Sequence, residues 1–299
     1  MPLDYERLIR MPPRETIHTF TTRDTILYAL GIGAERLAHI YEDGLIAYPM
    51  MSVIAAYPGF FAPEPEYGVT PRQVLHGEQS IRLHRMMPAA GTVRGVTTIT
   101  DILDKGAKGA VVNLTRSIHD VADDSLIATV DTGLFLRGGG GFGGITTNGR
   151  RPHPIPDRPA DKEVRTPTRE NQAAIYRLSG DYNPLHIDPA RAQAMGFDKP
   201  ILHGLCTFGF AGRALIEGQA GGDASRLSRL GARFSTPVFP GETLLTRIWI
   251  EGKERVAFQT LVEERGVIAL TNGLAEFGGP SQQDDCVDDA HRTRRSQGK

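Results

Sequence analysis

The sequence predicts an α+β fold made of two similar halves, and three observations carry that prediction. First, motifs recur. Thr22-Arg23-Asp24 followed by Tyr28-Ala29-Leu30-Gly31 is echoed by Thr168-Arg169-Glu170 followed by Tyr176-Arg177-Leu178-Ser179-Gly180. Likewise Pro88-Ala89-Ala90-Gly91-Thr92-Val93 is echoed by Pro240-Gly241-Glu242-Thr243-Leu244. Both echoes lie about 150 residues downstream, the mark of a duplicated unit. Second, each half closes in four strand-like segments spaced as antiparallel meanders. Third, one helix, Leu205–Glu217, is apolar on nearly every side, as a helix buried against a sheet must be.

In chain order, a helix is expected from Thr22 to near Gly31, opened by a threonine cap and an acidic first turn. Ala47–Ala56 stands where the second half has its apolar helix, but the Tyr48-Pro49 pair would break or shorten a helix there unless proline fell in the first turn. The first half is thus expected to be a degenerate copy. Its strands are placed at Gln79–Arg85, Thr92–Leu103, Gly109–Ile118 and Leu126–Leu136. The polar, proline-bearing stretch 146–165 reads as a linker between a unit at 1–145 and a unit at 166–278. A second capped helix is expected from Thr168, and further strands at Leu230–Pro237, Thr243–Glu251, Val256–Glu263 and Val267–Phe277. Residues 279–299 are polar and charged and are expected to be disordered.

Composition excludes several functions. With a formal net charge of −1, the chain offers no reason to expect nucleic acid or an anionic membrane as a partner. No stretch is long enough to span a bilayer, and the N-terminus has no secretory apolar core. Two cysteines, Cys206 in an apolar run and Cys286 in the tail, argue against a disulfide framework and point to a reducing compartment.

The chemistry concentrates in Tyr176–Gly204, where Asp181, Asn183 and His186 fall on a turn-rich segment and His203-Gly204 precedes the apolar helix. Asp-x-Asn-Pro alone can be an ordinary turn. With His186, Asp188 and the downstream Pro200-Ile201-Leu202-His203-Gly204, it reads as a site. Imidazole can take a proton from water at neutral pH, a carboxylate can orient the same water, and the Gly204 N–H at a helix start suits a developing oxyanion. Asp181, His186, Asp188 and His203 could also be read as metal ligands, although their spacing matches no known metal motif, and no metal is expected. Gly138, Gly140 and Gly143 formally match a dinucleotide fingerprint, but the following ITTNGRRPHP cannot open a helix, so a flexible loop is preferred. His76 and Lys105 read by themselves as a structural histidine and a solvated hairpin lysine, with phosphate or pantetheine contact as the other option.

The runs YRLSGDYNPLHIDP and GFDKPILHGLCTFGFAGRAL, together with VLHGEQSIRLHRMMPAAG, DILDKGAKG and LFLRGGGGFGG, resemble hydratase 2, the (R)-specific enoyl-CoA hydratases of the MaoC-like group, and in particular the hydratase unit of peroxisomal multifunctional enzyme type 2. The resemblance covers Tyr28 to Phe277. It implies a double hotdog, two curled antiparallel sheets each wrapped on a helix and joined side by side, with catalysis in the second unit and acyl-CoA binding in the first. Carried to matching positions, Asp181 and His186 would be the catalytic pair, Asn183 would help position the water, and Gly204 would offer its N–H to the thioester oxygen. His76, Gly77, Lys105 and Phe234 would contact the acyl-CoA, joined by Tyr182, Pro184 and Leu185 from the catalytic turn. The implied reaction is hydration of a trans-2-enoyl-CoA to a (3R)-3-hydroxyacyl-CoA with no cofactor, since the thioester itself supplies the activation. The same fold also admits a thioesterase or a non-catalytic acyl-CoA binder. Nothing in the sequence reads as fused dehydrogenase or sterol-carrier units or as a peroxisomal ending, so a free-standing cytoplasmic enzyme, paired as a homodimer, is expected.

Overall fold

The computed structural model describes residues 3–59 and 74–280. The tail expected to be disordered, and Cys286 with it, lies outside those residues apart from Gly279 and Pro280.

Among these residues ten strands form one antiparallel sheet: β1 (Arg14–Phe20), β2 (Val74–Leu83), β3 (Gly91–Asp104), β4 (Gly109–Asp120), β5 (Leu126–Arg137), β6 (Lys162–Pro167), β7 (Leu227–Phe234), β8 (Thr243–Ile250), β9 (Arg255–Val262) and β10 (Val267–Phe277). Their order is β1-β3-β4-β5-β2-β7-β10-β9-β8-β6. The second half of that order mirrors the first, strand for strand, so the duplication read from the motifs is a pseudo-twofold in space. The seam is the antiparallel pair β2–β7, in register from Glu78↔Arg233 to Arg82↔Arg229. A Glu78–Arg233 ion pair at 2.8 Å ties it from outside. This is the double hotdog.

Strand positions follow the alternation of apolar residues; Val267–Phe277 falls where it was expected, and the others differ by a few residues at their ends. Two strands escaped the sequence reading. β1 carries alternating half-buried side chains and only one fully buried residue, Phe20, while β6 lies within and just beyond the expected linker. Edge strands have one paired side only, which explains their weak apolar signal. At the end of the stretch 146–165 expected as a linker, Lys162–Arg165 pair with β8. The stretch before that is also fastened: the Trp249 indole N–H donates to the Arg158 carbonyl at 2.8 Å and Asn272 donates to that of His153 at 2.8 Å.

Among the described residues six α-helices pack with the sheet: α1 (Tyr5–Ile9), α2 (Thr22–Gly31), α3 (Leu37–Ile40), α4 (Gln172–Tyr176), α5 (Pro189–Ala194) and α6 (Gly204–Ala220). The cap of α2 is Thr21, one residue earlier than expected, with its N–H and hydroxyl both donating to Asp24 Oδ2 at 2.8 and 2.7 Å. Thr168 is no helix cap. Its hydroxyl donates to the Glu242 carbonyl and accepts the Gly241 N–H, and the helix starts later, at Gln172. Gln172 is buried, and its amide donates to the Leu30 and Gly31 carbonyls, so α4 of the second unit closes the end of α2 in the first.

Helix α6 is the spine of the core. Cys206, Phe208, Phe210, Ala211, Leu215 and Ile216 are all buried. In the first unit the matching place holds only a short 3₁₀ turn, Pro49–Val53, as the Tyr48-Pro49 pair led one to expect, with Pro49 in its first turn. It packs against α6 so closely that a Cβ on Gly212 would meet Met50 Sδ at 2.6 Å. Gly209 faces α2 in the same way, since a Cβ there would stand 2.4 Å from Ile32 Cγ2. Gly209→Ala should therefore overpack this contact and cost roughly 1–3 kcal/mol. Urea unfolding followed by circular dichroism checks this; an unchanged midpoint would contradict the packing.

The glycine run Gly138–Gly144 is not the flexible loop the sequence suggested. It wraps around the Asp104 carboxylate, which accepts the N–H groups of Gly106, Gly141 and Gly143, each at 2.8 Å. Those N–H groups, Gly141 first, hold the Asp104 pKa below the usual carboxylate range. An array of backbone donors that could have cradled a phosphate is filled by the chain's own anion.

Candidate active site

The candidate residues lie on one short segment between α4 and α6. Gly180 ends the 3₁₀ turn Arg177–Ser179 with φ 119°, a conformation open to glycine and strained for a side chain, and so swings the chain into Asp181. Asp181 Oδ1 accepts the Asn183 N–H at 3.1 Å. Asn183 Oδ1 in turn accepts the Leu185 N–H at 3.1 Å and caps the 3₁₀ turn Pro184–His186. Turn chemistry and site chemistry thus coexist: the Asp and Asn oxygens set the backbone, and the Asn183 amide group stays available as a donor. Asp188 has a different job, capping α5 through the Ala190 N–H at 2.9 Å.

The turn delivers His186 inward, 8% exposed, against His203. Their rings stack with centroids 3.7 Å apart. His186 Nδ1 lies 2.9 Å from the Ile201 carbonyl. A carbonyl only accepts, so Nδ1 carries the proton and Nε2 is left as the basic nitrogen. Burial pushes the His186 pKa below the ordinary histidine value, with the Ile201 carbonyl and the Asp181 charge opposing it. By the same logic His203 donates from Nε2 to the Asp181 carbonyl at 3.1 Å. Burial first, then the neighbouring His186, brings the His203 pKa down to about 4. Both imidazoles are neutral at pH 7.

Donor atoms of Asp181, His186 and His203 all lie within 4.8 Å of one another. Three of the four residues weighed as metal ligands are thus together, without Asp188. A tetrahedral ion needs lone pairs converging on one point about 2.0–2.1 Å from each nitrogen. Lone pairs lie in the ring planes, and two rings stacked face to face direct them alongside each other.

Residues from the first unit reach the same place. His76 meets the Phe234 ring at 4.7 Å between centroids, and Phe234 lies against Gly204, where a Cβ would stand 3.2 Å from its ring. His76 Nε2 is 3.0 Å from Gln79 Oε1, and burial lowers the His76 pKa to about 4 against an opposing pull from Asp181. Gly77 sits at an irregularity in the β2–β5 register, with the Gly133 carbonyl too close for an easy Cβ. Tyr182 is 57% exposed with the Arg177 guanidinium 5.0 Å from its ring centre, Pro184 is exposed, and Leu185 is half-buried beside it. Lys105 is not among the groups gathered at Asp181; its ammonium donates to the Thr146 carbonyl at 2.5 Å and secures the β3–β4 hairpin.

Three participants were missed or underread from sequence. His203 was weighed only as a metal ligand, yet it fixes Asp181 and stacks on His186. Tyr57, from the first unit, has its pKa raised by desolvation of the phenol and then by the Asp181 charge. Gln79 anchors His76. No local pattern announces Tyr57, which meets Asp181 across the two units, or Gln79, whose partners Asp131 and Thr132 lie on the neighbouring strand β5.

The chain is similar to known proteins in both halves. Residues 18–138 match the family described as MFE-2 hydratase 2 N-terminal domain, and residues 152–273 match MaoC like domain. The 3-hydroxyacyl-thioester dehydratase Y of Mycobacterium tuberculosis is 49% identical over 272 residues, covering 86% of this chain and 93% of that protein. Peroxisomal multifunctional enzyme type 2 of Mus musculus is 40% identical over 272 residues; the match covers 87% of this chain but only 36% of that longer protein. Among solved structures, a MaoC-like dehydratase from Phytophthora capsici superposes with a TM-score of 0.83 at 36% identity, covering 92% of this chain and 98% of the other.

Proposed function

Because the chain belongs to the MaoC-like hydratase 2 family, we propose that this member of the hydratase/dehydratase enzymes reversibly hydrates trans-2-enoyl-CoA to (3R)-3-hydroxyacyl-CoA. The observation that carries the reading is a solvent-accessible carboxylate, Asp181, beside a neutral imidazole, His186, whose tautomer leaves Nε2 basic.

One water bridges Asp181 and His186 Nε2. The Gly204 N–H, in the first turn of α6, receives the thioester oxygen, where the helix end favours negative charge. That hydrogen bond draws electrons from the β-carbon. The water oxygen bonds to the β-carbon while the pair gathers the proton it releases, and one proton is delivered to the α-carbon on the same face. Water adds across the double bond, and no electrons leave the substrate. In reverse the same groups remove water from the hydroxyacyl thioester. The Asn183 amide donates to the bridging water. His76, Gly77 and Phe234 line the acyl side, with Tyr182, Pro184 and Leu185 at the mouth and Lys105 further out toward the CoA phosphates. In this reading the domains divide as an acyl-binding first unit and a catalytic second unit, no cofactor takes part, and two chains pair as a homodimer.

Crotonyl-CoA tests the proposal. The enoyl absorbance should fall, and chiral chromatography of the product should return the (3R) alcohol. Release of free CoA without hydration would assign a thioesterase instead, and a (3S) product would overturn the stereochemistry.

A further inference from the structure

The concave face of the first unit is not a continuous apolar groove. On β4 the inward positions run Val112, Leu114, Arg116, Ile118; Ile118 belongs to the main core, and Val112 and Leu114 to a separate apolar cluster under α1. Arg116, 4% exposed, interrupts them. On β5 the inward run Val130, Thr132, Leu134 is interrupted by Thr132, which separates the same two clusters. On β3, Thr97 stands directly across from Arg116 and is 6% exposed. On β2, buried Gln79 pairs with Thr132. A polar belt therefore crosses the face between two apolar clusters.

The belt starts at the active site. His76, against Phe234, donates to Gln79 Oε1, and the Thr132 hydroxyl donates to the same oxygen at 3.1 Å. The Gln79 amide donates to the Ser80 and Asp131 carbonyls, so this end is saturated. The far end is not. Arg116 Nη2 caps the Pro49–Val53 turn through the Ser52 and Val53 carbonyls at 3.2 and 2.7 Å. Its Nε, and the Thr97 hydroxyl opposite, have no hydrogen-bond partner among the described residues. Nor does Arg116 form an ion pair with a described carboxylate. The Tyr57 ring lies over its guanidinium at 5.5 Å and is 48% exposed. Burial lowers the Arg116 pKa to about 10, which leaves it cationic at pH 7.

A buried cation without a carboxylate is costly, and so is a buried donor laid against methylene groups. Both costs vanish when an anionic oxygen arrives. Resting on the hydration reading above, we propose that Arg116 and Thr97 form a specificity subsite for acyl groups that carry a carboxylate at the end remote from the thioester, with Tyr57 as its cover. A plain alkyl chain of equal length would leave both donors unpaired.

The test compares kcat/KM within matched pairs, so that losses common to both substrates cancel. The pairs are trans-2-hexenoyl-CoA with the mono-CoA thioester of trans-2-hexenedioic acid, and the ten-carbon equivalents; crotonyl-CoA is the common reference. Wild type should favour the carboxylate by roughly tenfold or more at one of the two lengths, the worth of a hydrogen bond to a charged group. Arg116→Met and Thr97→Val, both close in shape to the native residues, should each lower that ratio, Arg116→Met below one. A second cationic variant, Arg116→Lys, should keep part of it. Equal or greater use of the alkyl substrate at both lengths by wild type would overturn the proposal, as would a ratio that Arg116→Met leaves unmoved. Failure to hydrate crotonyl-CoA would instead overturn the hydration reading itself.

Discussion

Asp181→Asn should lower kcat for crotonyl-CoA by at least about a hundredfold, the low end of what positioned acid–base groups contribute. The substitution is chosen to spare the fold. An asparagine oxygen can still accept the Asn183 N–H that Asp181 Oδ1 accepts now, and the backbone carbonyl that holds His203 is untouched. What disappears is the negative charge and the ability to accept a proton. Unfolding midpoint and circular dichroism should match wild type while turnover is lost. A variant keeping more than about a tenth of wild-type kcat would show that Asp181 orients nothing essential.

His186→Gln should cost about as much, for a complementary reason. A glutamine side chain can present an N–H toward the Ile201 carbonyl but has no basic nitrogen to replace Nε2. The wild-type pH profile carries the same information. Burial holds the His186 pKa below the ordinary value, so the neutral, basic form persists to lower pH than in a solvated histidine. The sign is therefore definite: the acid limb of kcat/KM is centred below the ordinary histidine value of about 6.5, not at or above it. An acid limb centred above the ordinary histidine value would mean that His186 is not the base, or that it is stabilised as the cation.

Much of the fold was legible because duplication and alternation are written locally. The recurring Tyr-x-Leu ends, each closed by a glycine within two residues, the apolar α6 and the β-branched strand runs each point to the same two-unit answer. What escaped was decided by distant partners. Edge strands β1 and β6 bury too little to announce themselves, and β6 hides behind a proline-rich approach. Thr168 looks like a helix cap, but tertiary contact with Gly241 and Glu242 claims its hydroxyl. The glycine run looks mobile until Asp104, more than thirty residues earlier in the chain, is seen to fill it. At the site, Asp181, Asn183 and His186 could be found together because one turn holds them all. His203 as a positioning group, and the Gln79–Thr132–Arg116–Thr97 belt, could not, since cross-strand register brings them together and sequence spacing says nothing of it.

In the proposed reaction Asp181 and His186 act on one and the same water. The most direct test is kcat/KM for crotonyl-CoA measured on Asp181→Asn, His186→Gln and the double variant together. Groups that work as a unit are non-additive. The double variant should fall little further than the worse single one. If the two losses instead multiply, the residues contribute independently and the shared water is wrong.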